Sequence, residues 1–145
     1  MDYTMLAYEF MSKMRQLHRA KTQKSIDEAL QGEAFVLHYL AFQTNEAMPG
    51  EISSQMNVSS ARVAQTLNSI EKKGWITRRI DINDRRRILV NLTPEGKSEA
   101  DKHVSFVLGL VSDMLKLLGE QDARDYVRIT GKLTDIISNT ELRPE

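Results

Sequence analysis

Nine residues near the middle of the chain, Ile80-Asp81-Ile82-Asn83-Asp84-Arg85-Arg86-Arg87-Ile88, set three arginines side by side between apolar β-forming residues. Arginine stays protonated at any physiological pH, and its planar guanidinium suits phosphate and carboxylate partners. The whole chain of 145 residues is neutral, with 20 Lys/Arg against 20 Asp/Glu. That average hides a local excess. Between Ser59 and Asn91 stand eight Lys/Arg and three acids, a local charge of +5 that the remaining residues balance. Screening acts over roughly 8 Å at physiological salt, so local charge governs what docks locally. Two readings of the arginines compete: a solvated hairpin face and a patch that meets a polyanion.

Other chemistry is poorly supplied. The chain has no cysteine, which removes disulfides, thiolate metal sites and thiol-based redox sensing within it. His18, His38 and His103 show no close metal-ligand spacing, so no metal or cofactor is expected. No nucleophile–base spacing and no phosphate-cradling glycine loop is present, and no enzyme activity is expected. Apolar residues make up 41% and charged residues 28%, the balance of one ordinary globular domain with a real core. No apolar run approaches ~18 residues, so no membrane span is expected. The start, MDYTMLAYEF, has an acid at position 2 and no basic-then-apolar segment, which points away from a secretory signal and toward a cytoplasmic protein.

The elements that must hold the arginines follow from spacing. Tyr3, Leu6, Phe10, Met14 and Leu17 recur at helical intervals, predicting a helix from residue 3 to about 24. A second helical pattern runs from Glu33 to about Phe42. Pro49 fits the first turn of a short helix whose inner face carries Ile52 and Met56, and Asn57 suits the left-handed position that ends it. Ser59 then offers an N-cap for a helix reaching Lys73 and Gly74, with Val63, Leu67 and Ile70 inward and Arg62, Gln65 and Ser69 outward. Two short helices joined by a tight turn match a helix-turn-helix. Residues 75–80 and 88–92 read as strands, the second with Ile88, Val90 and Leu92 on one face, so a β-hairpin follows the second helix and a winged helix is predicted. Thr93-Pro94-Glu95 starts a long helix to about Leu118 and Gly119, and a last helix covers about 121–138.

This order and these residues resemble the MarR family of transcriptional regulators. The sharpest stretch is NVSSARVAQTLNSIEKKGWITRRIDINDRRRILVNLTPEGK, residues 57–97. Its matching positions are Glu71 and Gly74, then Asp81, Asp84, Arg85 and Arg86, then Leu92, Thr93 and Gly96. Ile82 departs from the family's usual proline, Asn57 from its glycine, and Ala61 from a polar residue. The resemblance implies a mainly α fold with a small β-hairpin: a winged helix-turn-helix over residues 32–97, with dimerisation helices in residues 1–30 and 98–145. It also implies a sequence-specific regulator of double-stranded DNA, expected to be a homodimeric repressor released by a small aromatic or anionic ligand.

Under that reading the recognition-helix contacts are Ser59, Ser60, Ala61, Arg62, Gln65 and Ser69. Arginine can donate twice to guanine and glutamine can pair with adenine. The wing contacts are Asp84, Arg85, Arg86 and Arg87. One arginine enters the narrow minor groove, where negative potential is concentrated, and the resemblance favours Arg86. Asp84 braces an arginine rather than facing DNA. Met11, Arg15 and His18 form a weak effector-pocket suggestion, with a solvated basic face as the plainer reading. Residues 104–118 and Tyr126, Val127, Ile129, Leu133, Ile136 and Ile137 are more apolar than solvated helices need. They imply a homodimer and hence a pseudo-palindromic operator, although packing within the chain would use the same surface. The alternative function is a winged-helix protein-interaction module that does not read DNA sequence.

Overall fold

The computed structural model describes residues 1–140. Two compact units divide the chain, Met1–Val107 and Leu108–Glu145.

The first unit opens with α1 (Tyr3–Arg19) and α2 (Lys21–Ala29). The single helix expected here is broken at Ala20, whose backbone is extended at ψ 134°. No proline or glycine causes the break. Tertiary packing overrides propensity: α2 buries Ile26 and Ala29, whereas α1 buries nothing within the chain. Next come α3 (Gly32–His38) and one π-helical turn, Tyr39–Gln43, which closes with a bond from the Thr44 N–H to the Tyr39 carbonyl at 3.1 Å. His38 is exposed and lies against the Phe42 ring at 5.0 Å.

After β1 (Glu46–Ala47) comes the helix-turn-helix, α4 (Pro49–Met56) and α5 (Ser60–Lys72). Asn57 ends α4 at φ 53°, ψ 46°. This left-handed geometry favours glycine, and asparagine is among the few side chains that adopt it readily. Ser59 caps α5 by accepting from the Arg62 N–H at 3.2 Å.

The wing is β2 (Ile76–Ile80) and β3 (Ile88–Leu92), antiparallel, with Ile76 opposite Leu92 and Ile80 opposite Ile88. Sequence reasoning expected these two strands alone. β1 adds a third on the other side of β3, giving the order β1-β3-β2 and setting Glu46 opposite Asn91. A two-residue strand has no periodicity to read. Within β3, Val90 and Leu89 are buried while Ile88 is exposed. The Ile80–Ile88 rung belongs to the protruding end of the hairpin, where no core remains to cover it.

Val36, Leu40, Ile52, Val63, Leu67, Ile70, Ile76 and Val90 form the core, each at most 2% exposed. Each such side chain contributes roughly 1.5–3 kcal/mol by leaving water. This core fastens the inner faces of α4 and α5 to the sheet, so the outer face of α5 is presented by a rigid body. Helix α6 (Pro94–Leu118) starts where the Thr93 hydroxyl accepts from the Gly96 N–H and donates to the Gly74 carbonyl. Gly96 is obligatory there: a Cβ would sit 1.9 Å from the Trp75 carbonyl oxygen.

The second unit holds the end of α6 and α7 (Glu120–Asn139), joined at Gly119 with φ 80°. No residue of α7 is buried. Its Tyr126, Ile129, Leu133 and Ile136, three and four apart on one stripe, remain about half exposed. None of the described helices is long and apolar enough to cross a membrane.

Candidate nucleic-acid interface

Along α5 the core takes Val63, Leu67 and Ile70, one side of each turn. Helical geometry then sends Ser60, Ala61, Arg62 and Gln65 outward, and all four are exposed, as is the cap residue Ser59. Ser69 is different. It is half-buried, and its hydroxyl donates to the Glu33 carboxylate of α3. The expected outward role of Ser69 is therefore corrected to an anchor for the far end of α5. Lys73 reinforces that anchor with a 2.6 Å bond to the same carboxylate. Burial pushes the Glu33 carboxyl up, but the bonds from Lys73 and Ser69 outweigh it and hold the group below its ordinary value.

The local excess of positive charge is largely paired once the chain folds. Arg78 donates to Glu71 at 2.9 and 3.1 Å and to Asn68 at 2.7 Å. These bonds hold the Glu71 carboxyl below its usual value and raise Arg78. Arg79 pairs with Glu46 of β1. Such pairs stiffen the stalk of the wing while contributing little net stability at an exposed surface. Among the described residues Arg62, Lys72 and Arg85 have no acidic partner.

At the wing tip the three arginines are not equivalent. Asp81, buried at 8% exposed, accepts from the Asn83 N–H at 2.9 Å, and its own N–H donates to the Arg87 carbonyl. Arg87 folds back: its Nε lies 3.1 Å from Met48 Sδ, and Nη1 lies 3.9 Å from Asp81. Arg87, named among the expected wing contacts, is drawn toward the buried carboxylate at the base of the loop, with its side chain still about half exposed. Arg86 stands out with its side chain 91% exposed while Asp84 accepts from its backbone N–H at 3.1 Å and its Nε at 3.2 Å. The Arg86 side chain, then its backbone N–H, lowers the Asp84 carboxyl below the usual aspartate range. Asp84 therefore stays anionic and braces the arginine. Arg85 is exposed with no partner among the described residues.

Met11 and Arg15 stand exposed on α1, and His18 Nδ1 pairs with Asp27 of α2 at 3.2 Å. Of the methionines of this helix, Met5 and Met11 are exposed and Met14 is half-buried. His103 Nε2 meets the Ala29 carbonyl at 2.9 Å. No group of acids and histidines able to hold a metal occurs among the described residues.

An outward polar helix held by its cap and inner face, beside a braced cationic hairpin, defines a winged-helix DNA-binding domain. The model of the winged helix DNA-binding domain family matches residues 33–111, more than half of the chain, and the chain belongs to that family. It is a family of DNA-binding domains, not of enzymes.

The fold is shared with solved regulators of the MarR type. The E. coli MarR protein superposes with a TM-score of 0.67 at 20% identity, covering 84% of this chain and 95% of that one. YusO from Bacillus subtilis gives 0.72 at 22% identity over 94% and 99%. FabT of Streptococcus pneumoniae, solved in complex with DNA, gives 0.65 at 18% over 95% and 99%. At these identities the likeness establishes the fold. Among curated relatives, the transcriptional repressor YetL of Bacillus subtilis is 24% identical over 62% of this chain. The chain spans 54% of YetL's length, and 87% of that of a third relative, the regulator YwhA of the same organism.

Proposed function

We propose that the protein is a homodimeric, sequence-specific transcriptional repressor of double-stranded DNA, acting in the cytoplasm on a pseudo-palindromic operator and released by a small ligand. The winged helix-turn-helix comprises residues 32–97, and residues 1–30 and 98–145 supply the dimerisation helices. The observation that carries this reading is the exposed face of Ser60, Ala61, Arg62 and Gln65 beside the two projecting arginines, Arg85 and Arg86. Arg62 and Gln65 read base edges in the major groove. Ser59 and Ser60, at the helix N-terminus, approach phosphate. Arg86 enters the neighbouring minor groove and Arg85 takes a phosphate.

Dimerisation is supported by apolar surface that the chain leaves uncovered. On α1, Tyr3, Leu6, Phe10 and Leu17 lie exposed at helical spacing, and α7 carries its own half-exposed stripe. Large exposed apolar surfaces mark interfaces. The repressor assignment is supported by the likeness to YetL, and the DNA partner by the fold shared with FabT.

Selection of duplexes from a random pool, followed by sedimentation of the complex, tests the reading. The expected result is an enriched inverted repeat, with half-sites about one helical turn apart, bound by two copies. Recovery of no preferred sequence refutes it and favours a protein-interaction module. Leu133→Glu with Ile136→Glu should yield monomers that bind weakly, and an unchanged dimer refutes the role given to α7.

A further inference from the structure

The surface of the first unit carries a half-open pocket of about 310 Å³ whose walls include Glu28, Glu33, Leu37, Trp75, Glu99 and His103. Its size sits at the low end for small-molecule sites and suits a single-ring ligand. The lining holds three carboxylates and no lysine or arginine. At the rim, Lys102 pairs with Glu99 at 3.4 Å and Lys73 with Glu33 at 2.6 Å, while among the described residues no cation is paired with Glu28. His103 donates its Nε2–H to the Ala29 carbonyl, which leaves Nδ1 an acceptor in the neutral ring. An anion entering here meets acceptors on several sides.

The chain itself shows how an ammonium is held at this place. Lys73 Nζ is bonded to Glu33 and also lies 4.9 Å from the centroid of the Trp75 ring. A carboxylate and an indole face together bind organic ammonium ions through charge and cation–π attraction. Glu33 is at once a wall of the pocket and the anchor of the recognition helix through Ser69 and Lys73.

We propose that this pocket binds a small organic cation, an aryl-alkyl ammonium, which takes Glu33 from Lys73, loosens the far end of α5 and so weakens DNA binding. Of the two effector classes implied by the sequence, aromatic and anionic, this keeps the first and sets aside the second. The coupling to DNA rests on the proposed function; the binding of the cation does not.

Trp75 is the one tryptophan of the chain, so its emission reports occupancy directly. The full chain is titrated with benzylammonium and, as a charge-reversed control, with benzoate. Benzylammonium should change Trp75 emission saturably and benzoate should not. Glu28→Gln with Glu99→Gln, which leaves the recognition helix and its anchor untouched, should weaken benzylammonium about tenfold or more. Its operator affinity without ligand should stay unchanged, and its circular dichroism should match the parent. No saturable response to benzylammonium, an equal response to benzoate, or undiminished affinity in the double variant overturns the site. Saturating benzylammonium should lower operator affinity in the parent. If it saturates Trp75 and leaves operator affinity unchanged, the coupling is overturned. If no duplex binds in any condition, the proposed function fails while the emission titration still decides the site.

Discussion

Replacing the wing arginines one at a time gives three different outcomes despite their identical charge. Each phosphate contact releases counterions and contributes about 0.9 to the slope of log affinity against log salt. Between about 50 and about 200 mM salt, a fourfold step, one contact is thus worth about 3.5-fold in relative affinity. Arg85 has no internal partner, so Arg85→Ala should lose one contact and about 0.9 of slope. Arg86 is 91% exposed and held by Asp84 at 3.2 Å. Arg86→Ala should lose a similar slope and more affinity, about tenfold, because the freed Asp84 carboxylate is then left facing the DNA. Asp84→Asn in that background should recover part of the loss. Arg87 is turned onto Met48 and Asp81, so Arg87→Ala should change the slope by well under half a contact. Fluorescence anisotropy on the selected duplex at a series of salt concentrations measures all four variants. A slope change for Arg87→Ala equal to that for Arg85→Ala refutes the reasoning, since the folded-back guanidinium would then have to leave the protein body on binding.

Gly96→Ala should destabilise the first unit by about 2–4 kcal/mol in urea unfolding, because the new methyl meets a backbone oxygen that cannot move independently. Asn57→Gly should leave stability within about 1 kcal/mol, whereas Asn57→Val should cost more than that, since a β-branched residue resists the left-handed backbone. The Glu33 carboxyl is lowered in the fold, so its stabilisation is fully present above the ordinary glutamate value of 4.5 and is lost as pH falls through the lower folded value. The stability gap between the parent and Glu33→Gln should therefore shrink below about pH 4.5, and a gap that widens on acidification contradicts the anchor. Gln65→Ala should relax preference at one base position of the selected operator, and a uniform loss across sequences removes Gln65 from base reading.

Residue order alone determined the helix-turn-helix, the wing and the start of the long helix. Asn57, Ser59 and Gly74 act through their own backbone angles or through partners a few residues away, as does the cap that Thr93 gives Gly96, and such rules need no knowledge of the fold. The inward faces of α4 and α5 were legible for the same reason, since apolar spacing repeats with the helical turn. Tertiary structure alone decided which cations remain free. Arg79 finds Glu46 across 33 positions, and Lys73 finds Glu33 across 40. Neither separation carries any periodic signal. It also broke the first helix at Ala20 and added the short β1 beside β3. The acidic pocket draws its walls from three separate stretches of the chain, residues 28–37, Trp75 and residues 99–103. Local angles are written in neighbouring residues, whereas charge pairing and enclosure depend on which distant surfaces the core brings within a few ångströms.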